Sequence, residues 1–422
     1  MSTASRAGVP AWARGPLRPF RHSQYRWLAA AVLFELAGEG IWVIAIVWQV
    51  IGLGGGPVEL SFAMTGLSLG MVATVLVGGV AADRVPQRTL LLAATIVRLT
   101  AVMVVAALAL AGALAVWHLA LASVVVGAAI GVYFPAYSAL LPSIVDGDEL
   151  LAANGMEGFL RPTVQHAAGP ALGGMIVAAA SPGWALTAAA VCQLLCLAML
   201  AALRPVPLRR APDAEATTAI ADLRIGVRYM VGTPWFLGTL VFACIMLLVV
   251  IGPMEVLIPY VIESGGGDAR GHSVVLAAYG MGGAFAALAI SMVRLPRRYL
   301  TTMNLMWGVG CLPLLVVGLT TSVPAIAAAL FVVGALVSAP MVLWGTLLQK
   351  RVPPHLLGRA SSLDFFVSLL LMPVSMAVAG PAGAAIGVRE VFVVAAFVPV
   401  VVAVLVIWAA RMPADEIAHP LR

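Results

Sequence analysis

The chain returns again and again to apolar stretches of about 20 residues or more, the length an α-helix needs to cross the ~30 Å hydrocarbon core of a bilayer. Twelve such stretches can be placed, over residues 28–51, 60–82, 90–113, 117–137, 152–179, 184–203, 236–256, 273–293, 300–319, 324–344, 365–385 and 391–410. Within lipid every backbone N–H and C=O must find a partner inside its own segment or a closed barrel, so runs of this length are helices. The 422 residues are 62% hydrophobic and only 10% charged, against about 25% charged in a soluble domain. One core cannot bury that many apolar helices, so most of them face lipid. The expected fold is an all-α polytopic membrane protein of twelve transmembrane helices.

Basic residues set the expected orientation. One set of loops carries Arg84, Arg88, Arg204, Arg209, Arg210, Arg224, Arg228, Arg294, Arg297, Arg298, Lys350, Arg351 and Arg359, and both termini add more arginine; the opposite loops carry only Arg270 and Arg389. The positive-inside rule then places both termini in the cytoplasm, in a multi-pass protein of the cell membrane. The net charge of +6 follows from this topology. No basic cluster interleaves aromatic residues as a nucleic-acid stacking platform does. The first 22 residues contain arginines but no short apolar core with a cleavage site, so they read as a cytoplasmic tail. The four cysteines fall inside apolar runs, where they read as small buried hydrophobes.

The longest polar stretch, 204–233, splits the chain in the middle, and 220–230 within it patterns as a short amphipathic helix. The expected organisation is a tail over 1–22, a six-helix bundle over 23–203, a linker over 204–234, a second bundle over 235–412 and a tail over 413–422. The bundles repeat. Arg84-Val85-Pro86-Gln87-Arg88-Thr89-Leu90 reappears as Arg294-Leu295-Pro296-Arg297-Arg298-Tyr299-Leu300, an offset of about 210 residues. Gly169-Pro170-Ala171-Leu172-Gly173-Gly174 returns as Gly380-Pro381-Ala382-Gly383 at nearly the same offset. Position 83 maps onto Val293, so the second loop keeps its arginines and lacks the acid. Parallel six-helix repeats are one architecture of secondary transporters, with a substrate site between them near the midplane.

The loop between the second and third apolar runs resembles the signature of the major facilitator superfamily, G-x-L-A-D-R-x-G-R-[KR]-x-x-[LI]. Gly79, Ala82, Asp83, Arg84, Arg88 and Leu91 match it, whereas Ala81, Pro86 and Gln87 depart. Gly169, Pro170, Gly173 and Gly174 resemble the core of the fifth-helix antiporter signature, G-P-x-x-G-G. The run from Gly252 to Pro259, Thr346-Leu347-Leu348-Gln349 and Leu357-Gly358-Arg359 resemble the branch that holds macrolide-efflux and enterobactin-exporter-like proteins. The resemblance spans about residues 27–410. It implies two pseudo-symmetric six-helix bundles, alternating access and proton antiport. It also implies a conformational latch in which Asp83 meets the start of the eleventh helix, near residues 361–365, with Gly79, Arg84 and Arg88 around it.

Ionisable residues inside a span are costly and mark function. Glu35 and Glu39 stand one turn apart on the first span, and Glu39 lies about 18 Å along it, near the midplane. Glu157, Arg161 and Gln165 form an i, i+4, i+8 stripe on the fifth span, with His166 beside it. A Glu39–Arg161 pair across the cavity is the expected coupling site, with Glu39 the first and Glu35 the second proton carrier. Burial disfavours a charged carboxylate and a nearby arginine favours it, so a cavity that opens to alternate sides can load and discharge such a group. Arg98, about 14 Å into the peripheral third span, reads as a structural pair or a cavity residue. Glu255 reads as an outer gate or the cap of a broken helix, and Asp364 as an N-terminal charge on the eleventh helix. Trp42, Trp48, Tyr133, Phe134, Tyr137 and Phe365 are candidate aromatic cavity surface.

Enzyme chemistry finds no foothold. The G-x-S-x-G match at Gly66-Leu67-Ser68-Leu69-Gly70 lies within an apolar span and lacks the strand–turn–helix such a nucleophile needs. There is no G-K-[ST] phosphate loop, no run with metal-ligand spacing, and no cofactor is expected. The expectation is a monomer in the lipid bilayer whose partners are protons and a small-molecule substrate. Proton-coupled efflux of amphipathic compounds stands first. A dedicated exporter of a siderophore or natural product and a proton-coupled uptake symporter are the alternatives.

Overall fold

The computed structural model describes residues 17–146, 149–205, 219–292 and 296–420. Among them there is no β-strand. Eleven helices are long and apolar enough to cross a membrane. The remaining span is the fifth, built end to end from Leu150–Leu160, Arg161–Ala168 and Gly169–Ala179, with the middle piece wound as a π-helix. Pro162 offers no N–H to the α ladder, and a π segment accommodates the resulting gap. The seventh span, Pro234–Ser264, has the same feature at Pro253–Leu257, again with a proline in its first two residues.

Several helices outrun the apolar stretches that announce them. The fourth runs Val116–Ile144, past Pro135 and Pro142. The seventh continues to Ser264, and the tenth runs Val323–Arg351. The eleventh begins at Pro354, about ten residues before the predicted start, as Pro354–Leu370 followed by Met372–Ile386. Hydropathy falls where a helix leaves the hydrocarbon layer, but its backbone hydrogen bonds continue. Asp364 is therefore inside a helix, where its Oδ2 accepts from Trp344 Nε1 at 3.0 Å; it is not an N-terminal charge. A helix at Ala219–Gly232 occupies the predicted amphipathic segment. Residues 1–16 of the first tail and 206–218 of the linker lie outside the described residues, as do 293–295 with Arg294 of the second loop.

The halves repeat in packing. In the first, the first span packs on the sixth, the second on the fourth, and the third on the fourth and sixth; in the second, the seventh packs on the twelfth, the eighth on the tenth, and the ninth on the tenth and twelfth. Small residues permit the close pairs. A Cβ on Gly127 would run into Leu67 O, and one on Gly334 into Tyr279 O.

The halves meet at the end remote from the termini. There a single apolar core draws on both, with Ile41, Val47 and Leu60 from one and Val256, Ile262 and Phe392 from the other. At the arginine-rich end the core separates into one cluster for each half, around Tyr25, Leu91 and Tyr137 and around Phe236, Tyr299 and Trp344. Two equivalent seams close the far end. Gly174 lies on the eighth span, where Ser273 Oγ donates to Pro170 O at 2.8 Å. Gly380 lies on the second span, where its N–H donates to Ser61 Oγ at 2.8 Å. A Cβ on Gly174 would collide with Ser273, and one on Gly380 with Pro57 O. Tyr260 adds a hydrogen bond to Gly55 O at 3.1 Å. Among the described residues, no hydrogen bond or ion pair joins the halves at the arginine-rich end.

That end is instead fastened within each half. Arg18, Arg21 and His22 gather on buried Glu149 at 2.7–2.9 Å. Arg351 grips Asp415 of the C-terminal helix Met412–Ala418 at 2.9 and 3.2 Å. The first cluster brings His22, Asp146 and Glu149 within metal-ligand range. They come from distant parts of the chain, so sequence spacing does not reveal them. Two arginines already neutralise the carboxylates, which leaves little attraction for a cation.

Val at Gly380 adds bulk against backbone that cannot swing aside and costs the closed arrangement about 1–3 kcal/mol. Spin labels at Leu53 and Ser264, read by double electron–electron resonance, should move apart in Gly380→Val; an unchanged distance distribution would show that this seam does not hold the far end shut.

Candidate functional site

Behind the seam a cavity of about 530 Å³ lies between the halves. Its walls are mostly apolar, with Leu36, Trp42, Leu67 and Phe134 from the first half, and Met64 and Met71 facing Met341, Met372 and Met376 across the interface. Unbranched methionine side chains adapt to ligands of varied shape. The polar groups converge on one wall, formed by the first, third, fifth and sixth spans.

At the centre of that wall is Arg98, 3% exposed. It forms ion pairs with Glu35 and, at 2.9 Å, with Glu39. Its Nη2 also donates to Gln193 Oε1 at 3.0 Å, and the guanidinium lies 5.9 Å from the Tyr133 ring centroid. Glu39 has a second donor, Gln165 Nε2 at 2.8 Å. Gln165 accepts in turn from Arg161 at 3.3 Å, and Arg161 pairs with Glu157 at 2.7 Å. The result is one continuous chain, Glu35–Arg98–Glu39–Gln165–Arg161–Glu157. With every group ionised its three carboxylates exceed its two guanidinium groups by one charge.

Local sequence explains how the chain closes. Glu35 and Glu39 share a face because they are one turn apart. Gly38, on that helix, brings the sixth span close enough for Gln193, whose Nε2 would lie 2.7 Å from a Cβ there. Gly40 does the same for the fifth span, where a Cβ would lie 2.7 Å from both Gln165 O and a ring carbon of Pro170. Gly169 and Gly173 pack against Gly40 and Ile41. The glycines of the fifth-helix motif thus dock the span that carries Arg161 and Gln165.

The expected Glu39–Arg161 pair is not formed. Glu39 pairs with Arg98, and Arg161 reaches it only through Gln165. Arg98 is correspondingly central and not peripheral, since the third span packs its middle against the first half's interior. The predicted stripe of Glu157, Arg161 and Gln165 is present. Trp42, Tyr133, Phe134 and Tyr137 line the cavity, and Trp48 does not. His166 lies beside the site and sets its ring edge-on to Tyr279 of the eighth span, 6.1 Å between centroids. Glu255 lies on the π segment of the seventh span, away from this wall. Sequence reasoning passed over Gln193 and the methionines. Gln193 had a signal, as the only amide in its span; the methionines had none, because Met is an ordinary core residue.

The signature loop lies at the other end of the molecule. The second span ends at Arg84 and the third begins at Gln87, with Gln87 Nε2 donating to Ala82 O at 2.9 Å. Arg88 donates to Ala201 O at 2.8 Å, a tie within the first half. Gly79 faces open space and Arg84 is exposed. The side chains of Asp83 and Phe365 lie outside the described residues.

Residues 14–420 match the transmembrane secretion effector family. The multidrug efflux pump Tap of Mycolicibacterium fortuitum is 24% identical over 403 residues, covering 92% of this chain and 96% of Tap. Among solved structures, a mutant of nucleoside transporter NupG superposes with TM-score 0.77 at 11% identity, over 92% of this chain and all of NupG. A bacterial homologue of the human lysosomal transporter Spinster, in an inward-facing unoccupied conformation, gives 0.67 at 16%, over 97% and 99% of the two chains. A D-xylose–proton symporter gives 0.69 at 16%, over 90% and 96%.

Removing Arg98 leaves Glu35, 4% exposed, without its counter-charge. Breaking a buried pair in this way costs about 3–5 kcal/mol. Arg98→Ala should lower the thermal stability of purified protein markedly, and adding Glu35→Gln should recover part of the loss. Equal instability of single and double variants would show that the pairing is not what Arg98 supplies.

Proposed function

The chain belongs to the transmembrane secretion effector family of major facilitator transporters, and on that premise we propose that it exports amphipathic small molecules across the cell membrane in exchange for protons. The family is one of transporters, not enzymes. The observation that carries the export reading is the pairing of an apolar, methionine-walled cavity with a buried carboxylate cluster that can lose a charge without collapsing. Sugars and nucleosides need many polar partners along the wall, so these walls favour an amphipathic substrate over the polar cargo of an uptake symporter. The likeness to the efflux pump Tap points the same way.

Glu39 is the carboxylate suited to carry the proton. Its side chain is 16% exposed, against 5% for Glu35, and it borders the cavity. When Glu39 takes a proton, Arg98 keeps Glu35 as counter-charge and Gln193 as acceptor, so no guanidinium is left bare in a low-dielectric interior. Gln165, whose amide can donate or accept, adapts to either form of Glu39. Glu35 is then the fixed partner and Glu39 the exchanging one. With the termini cytoplasmic, by the positive-inside rule, the sealed far end faces outward and this arrangement is inward-facing. Substrate enters from the cytoplasm or inner leaflet, the seams part, and protonation of Glu39 from outside favours release. In this reading Asp83, Arg84 and Arg88 latch the opposite, outward-facing arrangement.

Proteoliposomes with an imposed pH gradient, loaded with ethidium as an amphipathic cationic probe and then with a panel of neutral amphiphiles, test the assignment. Glu39→Gln should fold normally and lose about tenfold or more of gradient-driven flux, equivalent to ~1.4 kcal/mol at the coupling step, and its residual flux should no longer depend on pH. Undiminished pH-driven flux in Glu39→Gln would overturn the role of Glu39. Transport of xylose or uridine in place of every amphiphile would overturn the substrate class.

A further inference from the structure

The charge chain of the first half does not reach Glu255 of the seventh span. Glu255 sits on the π segment Pro253–Leu257 in the seventh span, half-buried, and among the described residues it forms no ion pair and accepts no hydrogen bond. Carboxylates in spans ordinarily pair with a cation or serve an ion pathway, and π segments recur at functional positions. Its surroundings explain the choice between the two. The π segment packs against the second, eleventh and twelfth spans and the rest of the seventh. Among the described residues, no side chain on those spans forms an ion pair with Glu255. Glu59 accepts from Gly56 N at the start of the second span, Glu263 is exposed near the end of the seventh, Asp364 on the eleventh accepts from Trp344, and Arg389 and Glu390 are at the exposed start of the twelfth.

On the eighth span of the same half, Tyr279 reaches the first half. Its ring meets His166 edge-on at 6.1 Å. Its neighbour Gly280 packs onto the fifth span so closely that a Cβ there would lie 2.7 Å from Pro162 O and 3.0 Å from His166. His166 follows Gln165, the amide bonded to Glu39. The eighth span thus ties the second half to the π segment of the fifth span, beside the charge chain.

We infer that Glu255 is a second proton-carrying carboxylate, which loads from the far end when the seams part. The inference rests on the proton-coupled reading above and extends it to the second half. The proton balance is simple: the carboxylate gains one proton and loses its charge when water reaches it, and regains the charge on release. Closing the seams around a carboxylate with no cation beside it is costly unless it carries that proton, so loading Glu255 and closing the far end favour each other. Glu39, which keeps Arg98 in the closed arrangement, has no such requirement. The two acids therefore load under different conditions.

Proton binding is measurable without a known substrate. Proteoliposomes adsorbed on a solid-supported membrane displace charge when the pH is jumped. Wild type should give a signal that falls by about half in Glu255→Gln and in Glu39→Gln, and nearly vanishes in the double variant; Glu255→Asp should retain it. A wild-type signal of full size in Glu255→Gln overturns this inference and leaves the role of Glu39 intact. A wild type that displaces no charge overturns the proton-coupled reading itself. Folding of the variant is taken out of the question by dicyclohexylcarbodiimide, which modifies protonated carboxyls in apolar surroundings. On wild-type protein in liposomes, peptide mass spectrometry should find Glu255 modified, less so as pH rises, and failure to modify it at any pH also overturns the inference.

Discussion

A guanidinium deep in a membrane bundle is tolerable only where carboxylates meet it, and the arrangement of the first half follows from satisfying Arg98. Its pairs with Glu35 and Glu39 fix the rotation of the first and third spans about their axes, and Gln193 fixes the sixth. The same demand places Glu39 at the cavity edge with two donors of different kinds, one charged and one amide. A cluster with an excess acid is unlike a static salt bridge, because one carboxylate can be neutralised while the guanidinium stays paired. The three side chains that hold the first half together therefore also carry its excess acid.

The packing of the halves is the complement of this rigidity. Within a half, contacts involve backbone pressed on glycine over long stretches, and the arginine-rich end is fastened by ion pairs at buried Glu149 and half-buried Asp415. Between halves, the shared apolar core is confined to the far end and bounded by two small-residue seams. Opening that end means breaking a few hydrogen bonds, such as Ser273 to Pro170 O and Gly380 to Ser61, and exposing apolar surface that lipid and substrate can cover. Stiff halves joined by an easily parted seam are what a rocking movement about a central site requires.

How far the site was legible depended on the kind of relation involved. Neighbours along one helix were legible: Glu35 with Glu39, and Glu157 with Arg161 and Gln165, follow from 3.6 residues per turn. The glycine motif was legible as a motif, and its repeat at Gly380 proved to mark an equivalent seam. Relations between helices were not. Counting from the helix ends put Glu39, Arg98 and Arg161 at similar depths, so any of them had the reach to pair. The choice of Arg161 failed because depth says nothing about which way each helix is turned. Helix ends were misjudged for a related reason, since hydropathy reports the solvent around a helix and not its hydrogen bonding; Asp364 was misplaced on that account.

Apolar run lengths, charge placement and the internal repeat already require a chain that crosses a membrane in twelve helices arranged as two repeats, with arginines at one end and with acids and two arginines inside the spans. Each of these is fixed by solvent and by covalent spacing, which act on a single helix at a time. Only the tertiary structure decided that Arg98 and not Arg161 holds Glu39, that Gln193 and Gln165 complete the cluster, that methionines from both halves face one cavity, and that the far end is the closed one. Those outcomes depend on the azimuth of every helix relative to its neighbours. The azimuth is settled by how closely glycine surfaces at Gly38, Gly40, Gly174 and Gly380 let backbones approach, and by which buried charges must then find each other.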